Sequence, residues 1–165
     1  MNWGKPAGIL GIFVIVLLTR MALHQPRAAA EPARPQVQVM VAQGAPKEVR
    51  LRKRGNGHFF VHAMVNGQIV EFLVDTGASG IALTVDDARR IGLPVDRSRW
   101  QVIGTGASGA VRGQVERLQS VELEGRTVSN LDAMVADGLQ ISLLGQDFLR
   151  HLGSISMSGD VMVLQ

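Results

Sequence analysis

The sequence predicts a mostly β domain with short helices, preceded by an apolar amino-terminal segment. Short runs of β-branched and other apolar residues recur from residue 58 to residue 164, and turns rich in glycine separate them. Helix signals are confined to two short stretches, 84–91 and 146–152. At 165 residues, the chain has room for one ordinary domain plus an extension.

The amino-terminal segment, residues 1–23, is predicted to be a transmembrane anchor. Residues 7–23 are mostly apolar, and these 17 residues would form about 25 Å of helix against a bilayer core of about 30 Å. A cleaved signal peptide is the alternative, with Lys5 as its charged start and the alanines at 28–30 as a cleavage-like triplet. The arginines before that triplet suit a cleavage region poorly, so we favour the anchor.

Residues 24–54 are predicted to be a basic linker, because alanine, proline and arginine dominate them without periodicity. Eight Lys and Arg and two Glu lie in residues 20–54, whereas residues 55–165 contain eight Arg and twelve Asp and Glu. The predicted domain is therefore mildly acidic and has no basic face, which excludes nucleic-acid binding. The run 47–54 is interpreted as a solvated domain edge, with adhesion to anionic lipid headgroups as the alternative.

The domain, predicted at residues 55–165, opens with a hairpin. Asn66-Gly67 separates two β-rich runs, and this dipeptide is a strong hairpin signal because both residues accept positive φ. Thr84 begins a capping box for a short helix that Gly92 and Pro94 end. The other predicted elements are strands at 100–103, 111–121, 121–123, 128–135 and 141–144, a helix at 146–152 and a closing strand at 161–164.

Two glycine-rich hexapeptides differ only at their first residue: DTGASG at 75–80 and GTGASG at 104–109. The second matches the dinucleotide-binding pattern G-x-G-x-x-G by letter, but no amphipathic helix follows it, so a glycine-rich hairpin tip explains it better. In the first hexapeptide, Asp75 follows the apolar strand 72–74. An aspartate there is a turn former or a functional carboxylate, and the spacing alone leaves both open.

Two separated blocks resemble the single-domain aspartic proteases of the retropepsin type, including their bacterial membrane-anchored members. One is FLVDTGAS at 72–79, and the other is SLLGQDFLRHLG at 142–153. A histidine and aromatic start, a Val-Asn-Gly hairpin and a short helix after the Asp-Thr-Gly loop match the bacterial members as well. The resemblance implies that residues 55–165 form a retropepsin-like closed β-barrel, the half-lobe of an acid protease.

By this resemblance Asp75 is the catalytic carboxylate. Thr76 would make hydrogen bonds between subunits, and Gly77, Ala78 and Ser79 complete the active-site loop. The resemblance also implies a flap that closes on substrate, formed by Gly104, Thr105, Gly106, Ala107, Ser108 and Gly109. It further implies a structural strand-to-helix junction at Leu144 and Gly145. Many retroviral members have an Asp–Arg ion pair where this chain has Ser79 and Gln146, so both positions are neutral here.

The function implied is hydrolysis of polypeptide bonds by an aspartic endopeptidase. One carboxylate must take a proton from water while another carboxyl protonates the scissile carbonyl, and the chain has one Asp-Thr-Gly. We therefore expect a homodimer in which the Asp75 carboxyls of two chains face each other. No cofactor is expected, and no metal site, because His58 and His62 have too few potential co-ligands. A non-catalytic, membrane-tethered peptide-binding module on the same fold is the alternative.

The location of the domain rests on two opposed signals. Arginines after the apolar segment favour a cytoplasmic domain by the positive-inside rule. The resemblance to anchored bacterial members favours the opposite side. We expect a single-pass inner-membrane protein with a periplasmic catalytic domain. Because the chain has no cysteine, disulfide and thiolate chemistry are excluded and the compartment stays open.

Overall fold

The computed structural model describes residues 38–41, 47–106 and 109–165. These residues belong to one compact unit, Arg34–Gln165. The predicted anchor, most of the predicted linker and two residues of the second hexapeptide, Ala107 and Ser108, lie outside the described residues. Within the described ranges, neither helix reaches the length and hydrophobicity that a membrane span requires.

Strands make up most of the described residues. In chain order the elements are β1 (Gln38–Val41), β2 (Val49–Arg52), β3 (Phe60–Val65), β4 (Gln68–Val74), β5 (Ile81–Leu83), α1 (Val85–Arg90), a 3₁₀ turn (Arg97–Arg99), β6 (Gln101–Gly106), β7 (Gly109–Leu123), β8 (Arg126–Ala136), β9 (Ser142–Leu144), α2 (Gln146–Leu149), β10 (Ile155–Ser158) and β11 (Val161–Leu164).

Six of these strands close into a barrel. Around the ring, β8 pairs with β5, β5 with β9, β9 with β4, β4 with β3, β3 with β7, and β7 pairs with β8 again. Closure gives each of these strands a partner on both sides, which removes exposed sheet edges. β1 and β6 extend the sheet outside the ring, β1 along β8 and β6 along the first residues of β7. The predicted closed β-barrel with few helices is confirmed.

The barrel interior is filled by alternate residues of the strands. In β3 and β4 every second residue is buried, and Val65, Val70 and Phe72 are completely inaccessible to solvent. Successive side chains of a strand point to opposite faces, so this alternation places one face of the hairpin in the core. The turn between the two strands has φ of 49° at Asn66 and 81° at Gly67, as the hairpin signal predicts.

Both helices form close to their predicted positions. Thr84 is the N-cap of α1, and its hydroxyl accepts a hydrogen bond of 3.0 Å from the Asp87 amide. The second helix, α2, ends at Leu149, three residues before its predicted end. Beyond it the amides of His151 and Leu152 donate to carbonyls three residues back, so the chain tightens from α-helical to 3₁₀ geometry.

A second sheet contains three strands in the order β10, β11, β2. The sequence does not predict β10, and it assigns the residues of β2 to the basic linker. In β2, Val49 and Leu51 pack against the core while Arg50 and Arg52 are exposed, which is the period of a strand with one buried face. β1 also comes from the predicted linker. Both strands depend on partners far away in the sequence, β11 and β8, which a local pattern does not reveal.

Candidate active site

The loop that contains Asp75 connects β4 to β5. β4 places Asp75 beside β9, where the Asp75 amide donates to the Leu144 carbonyl over 3.1 Å. Asp75 Oδ1 accepts a bond of 2.9 Å from the Gly77 amide, so the carboxylate closes a tight turn. Asp75 is half-buried, while Thr76 and Gly77 are exposed. The turn uses one oxygen of the Asp75 carboxylate. Asp75 can therefore form the turn and still act on a ligand.

The amino terminus of α2 binds the other side of this loop. The amides of Gln146 and Asp147 donate to the carbonyls of Ala78 and Ser79, each over 2.9 Å. The first amides of a helix have no partner inside the helix, and here the loop carbonyls supply one. The side chain of Gln146 adds a bond of 2.9 Å from Nε2 to the Thr76 carbonyl. Strand β9 and helix α2 together therefore hold the Asp75 loop at several points of its backbone.

Gly145 is where the chain entering α2 approaches the loop most closely. A Cβ atom at this position would lie 2.2 Å from the Gly80 carbonyl oxygen and 2.6 Å from the Ala78 carbonyl oxygen. Glycine alone fits such a contact between two backbones. The structure thus brings together two sequence blocks that are far apart along the chain, with Leu144 bonded to Asp75 and Gly145 against Gly80.

Gln146 has a contact that sequence reasoning missed. The resemblance pairs position 146 with Ser79, whereas in the structure the Gln146 side chain bonds to the backbone carbonyl of Thr76. Every residue offers a carbonyl, so no residue type at position 76 could have indicated this bond. The neutral side-chain amide of Gln146 therefore holds the Asp75 loop without bringing a charge to it.

The second hexapeptide lies at the end of a hairpin formed by β6 and the first residues of β7. The Cα register pairs Gly104 with Val111, Thr105 with Ala110 and Gly106 with Gly109. The predicted glycine-rich hairpin is confirmed for these residues, and Gly109 has φ of 106°, which glycine adopts freely. No hydrogen bond joins the described part of this hairpin to the Asp75 loop. Closure of the hairpin over Asp75 therefore stays a prediction.

Two ionisable side chains outside the loop, Glu71 and His151, have pKa values shifted by their surroundings. His62 lies 3.6 Å from Glu71, and the hydrogen bond from Arg54 holds the pKa of Glu71 below its usual value. Burial lowers the pKa of His151, after α2, because it disfavours the charged imidazole. Among the residues that the structure describes, no three His, Cys, Asp or Glu side chains converge as metal ligands would.

Comparison with known proteins matches the region that contains both the Asp75 loop and α2. Residues 61–151 match the family described as "gag-polyprotein putative aspartyl protease". A crystal structure of a retropepsin-like aspartic protease from Rickettsia conorii is 31% identical, superposes with a TM-score of 0.61, and covers 78% of this chain and 93% of its own. The chain belongs to the retropepsin-like aspartic protease family. The family match covers more than half of the 165 residues.

Two curated relatives of this retropepsin-like chain are uncharacterized proteins. One, from a Sinorhizobium species, is 40% identical over 121 residues, which are 72% of this chain and 52% of the relative. The other, from Rickettsia prowazekii, is 34% identical over 118 residues, which are 71% of this chain and 51% of the relative. The chain spans about half the length of the curated relatives it matches. Family membership thus concerns the domain that contains the Asp75 loop.

Proposed function

We propose that the chain is an aspartic endopeptidase that acts as a homodimer, with one Asp75 carboxyl from each protomer at the centre of the site. The observation that carries this proposal is the Asp75 loop: a half-buried aspartate at the end of a barrel strand, held by β9 and α2, in a chain of this family. Support of this kind keeps a reacting group in one geometry without further ordering at the moment of reaction.

The chemistry requires a second carboxyl beside the first. The chain contains one Asp-Thr-Gly, and no other aspartate precedes Thr-Gly or Ser-Gly. A two-fold axis next to Asp75 would supply the second carboxyl as a copy of the first. Two carboxyls held at about 3 Å share one proton, because like charges at that distance cannot both ionise. One Asp75 is then ready to accept a proton and the other to donate one.

The proposed reaction proceeds in two steps. The ionised Asp75 takes a proton from water, the water oxygen bonds to the scissile carbonyl carbon, and the partner's Asp75 donates its proton to the carbonyl oxygen. In the second step the C–N bond breaks as the first carboxyl passes its proton to the leaving nitrogen. The partner's Asp75 takes back a hydroxyl proton, which leaves a carboxylic acid and an amine. No covalent bond to the protein forms.

The proposed substrate is an extended polypeptide bound between the Asp75 loop and the flap at residues 104–109. Gly104, Thr105 and Gly109 are exposed, and glycine lets another backbone approach closely. An extended peptide can add to such a hairpin as a further strand, so that backbone hydrogen bonds supply affinity. No cofactor takes part in the proposed reaction.

Mixing active and inactive protomers tests the paired site. A dimer of one native protomer and one Asp75→Asn protomer has a single ionisable carboxyl and should not cleave peptide. If protomers exchange freely, an equimolar mixture of native and Asp75→Asn protein should keep about one quarter of the activity of native protein at the same total concentration. A site complete in one chain would keep about one half. Light scattering on the same samples reports whether dimers are present, and a fully active monomer would contradict the proposal.

We also propose that the protein crosses the inner membrane once and that its catalytic domain lies in the periplasm. The apolar residues 7–23 and the resemblance to anchored bacterial members support this. Protease added to intact spheroplasts should then degrade residues 55–165. A domain that resists degradation until the cells are lysed would instead be cytoplasmic.

A further inference from the structure

Gln114 is a buried polar residue at the base of the β6–β7 hairpin, with only 3% of its surface exposed. It follows Gly113, which pairs with Gln101 of β6 on one side and with Ala136 of β8 on the other. A Cβ atom at Gly113 would lie 2.0 Å from the Val135 carbonyl oxygen, so β7 packs tightly against β8 here. β6 pairs with β7 alone, so the hairpin leaves the barrel at this point.

All hydrogen-bonding positions of the Gln114 amide are used. Nε2 donates to the Pro94 carbonyl over 2.7 Å and to Glu116 Oε1 over 2.5 Å. Oε1 accepts from the Asp96 amide over 3.0 Å and from Trp100 Nε1 over 3.1 Å. A primary amide has two donors and two acceptor positions, and partners that can only donate or only accept allow one orientation of it. A fully satisfied buried network of this kind is rigid.

The partners of Gln114 lie mainly in the segment that leads from α1 into β6. Other contacts attach the same segment to neighbouring strands. The Arg97 guanidinium stacks over the Trp100 ring at 4.6 Å and pairs with Asp137 over 3.5 Å. Arg112 Nη2, in β7, donates to the Trp100 carbonyl over 3.3 Å. Gln114 is therefore the buried centre of a cluster that joins both strands of the hairpin at their base.

Beyond this base the hairpin has little support of its own. Most of its described residues are exposed, and Val102 has 63% of its surface exposed. A two-stranded hairpin by itself is marginally stable in water. The direction in which this hairpin projects from the barrel therefore depends on the contacts at its base.

We propose that Gln114 is a positioning residue, which fixes the direction of the β6–β7 hairpin relative to the barrel. The catalytic consequence of this inference rests on the proposed function, in which the hairpin binds substrate. Without the Gln114 side chain, Trp100 Nε1 and the backbone amide of Asp96 lose their hydrogen-bond acceptor. The segment between α1 and β6 must then move to let water take the place of that acceptor. The Asp75 loop is held separately by β9 and α2. Loss of Gln114 should thus weaken substrate binding more than it slows the chemical step.

The test compares Gln114→Met with Gln119→Met in the full-length protein. Methionine has a similar length and volume but makes no strong hydrogen bond, and Gln119 is an exposed residue of the same strand. In Gln114→Met we expect hairpin amides at 101–106 and 109–112 to exchange with deuterium about tenfold faster, while amides of β3 and β4 keep their native rates. We expect KM to rise by about tenfold with kcat within about twofold of native. Gln119→Met should match the native protein in both measurements.

Native exchange rates throughout the hairpin of folded Gln114→Met would overturn the inference. Equally faster exchange in β3 and β4 would also overturn it, because Gln114 would then contribute only general stability. If Gln114→Met does not fold, Trp100→Phe replaces it: phenylalanine lacks the Nε1 donor that binds Gln114 Oε1 over 3.1 Å in the native chain, so hairpin protection should fall while β3 and β4 keep their native rates. Exchange does not require catalysis. A native protein that cleaves no peptide would count against the proposed function, and the exchange rates would still decide the role of Gln114.

Discussion

Replacing Asp75 with asparagine should remove peptide cleavage and leave the barrel folded. Asparagine keeps an oxygen that accepts the bond from the Gly77 amide, which is 2.9 Å long in the native chain, so the turn is retained. The asparagine amide can neither take a proton from water nor give one to a carbonyl oxygen, so the proposed paired site would lose its chemistry. We expect kcat/KM to fall by at least about 10⁴-fold, the size of effect seen when one member of a catalytic unit is removed. Cleavage of an unstructured polypeptide at mildly acidic pH, with and without pepstatin, measures the loss.

Asp86→Asn is the matched control for this substitution. The Asp86 side chain is 96% exposed, and its ion pair with Arg89 is 3.9 Å long, so neutralising it should change neither cleavage nor the melting temperature. Native-like cleavage by a folded Asp75→Asn protein would reject the carboxylate mechanism. If the native protein itself binds peptides without cutting them, the non-catalytic peptide-binding module becomes the correct interpretation of this fold.

Gly145→Ala should prevent stable folding of the region around the Asp75 loop. The added methyl group would lie 2.2 Å from the Gly80 carbonyl oxygen and 2.6 Å from the Ala78 carbonyl oxygen. Both obstacles are backbone atoms, so neither can move away by a change of rotamer. We expect the free energy of unfolding to fall by more than about 4 kcal/mol, which is larger than the effect of most single substitutions and typical of a severe structural conflict. Urea unfolding followed by circular dichroism measures this loss.

Gly153→Ala is the control within the same sequence block. A methyl group at Gly153 would meet the Gln165 carbonyl oxygen at 3.5 Å, which is an ordinary contact. This variant should unfold within about 1 kcal/mol of the native chain. Equal stability of the two alanine variants would show that α2 and the Asp75 loop do not approach each other as closely as the structure indicates.

The parts of the fold that the sequence predicts well have local causes. The hairpin at Asn66-Gly67 forms because both residues accept positive φ, and α1 begins at Thr84 because its hydroxyl accepts from an amide three residues later. The strands missed by prediction have no such local cause. β2 alternates apolar residues with arginine in a run that composition marks as a charged linker, and it becomes a strand by pairing with β11.

The candidate site also combines features that the sequence shows with contacts that it does not show. A strand that ends at Asp75, followed by small residues, is visible in the sequence, and so is the second block around Gly145. The contact between these blocks is not visible, nor are the bond from Gln146 to Thr76 and the network of Gln114 around Trp100. Each depends on where a backbone carbonyl or a distant side chain lies after the barrel has closed.

By itself, the sequence determined the turns, the helix cap, the β-rich character of residues 55–165 and the one aspartate with an Asp-Thr-Gly context. The tertiary structure alone decided which distant backbones meet at Gly145, what holds the Asp75 loop, and where the hairpin leaves the barrel. The physical reason is how far apart the interacting residues are along the chain. Turn and cap energies arise between residues a few positions apart, whereas the contacts that hold the site form between groups that barrel closure brings together from distant parts of the chain.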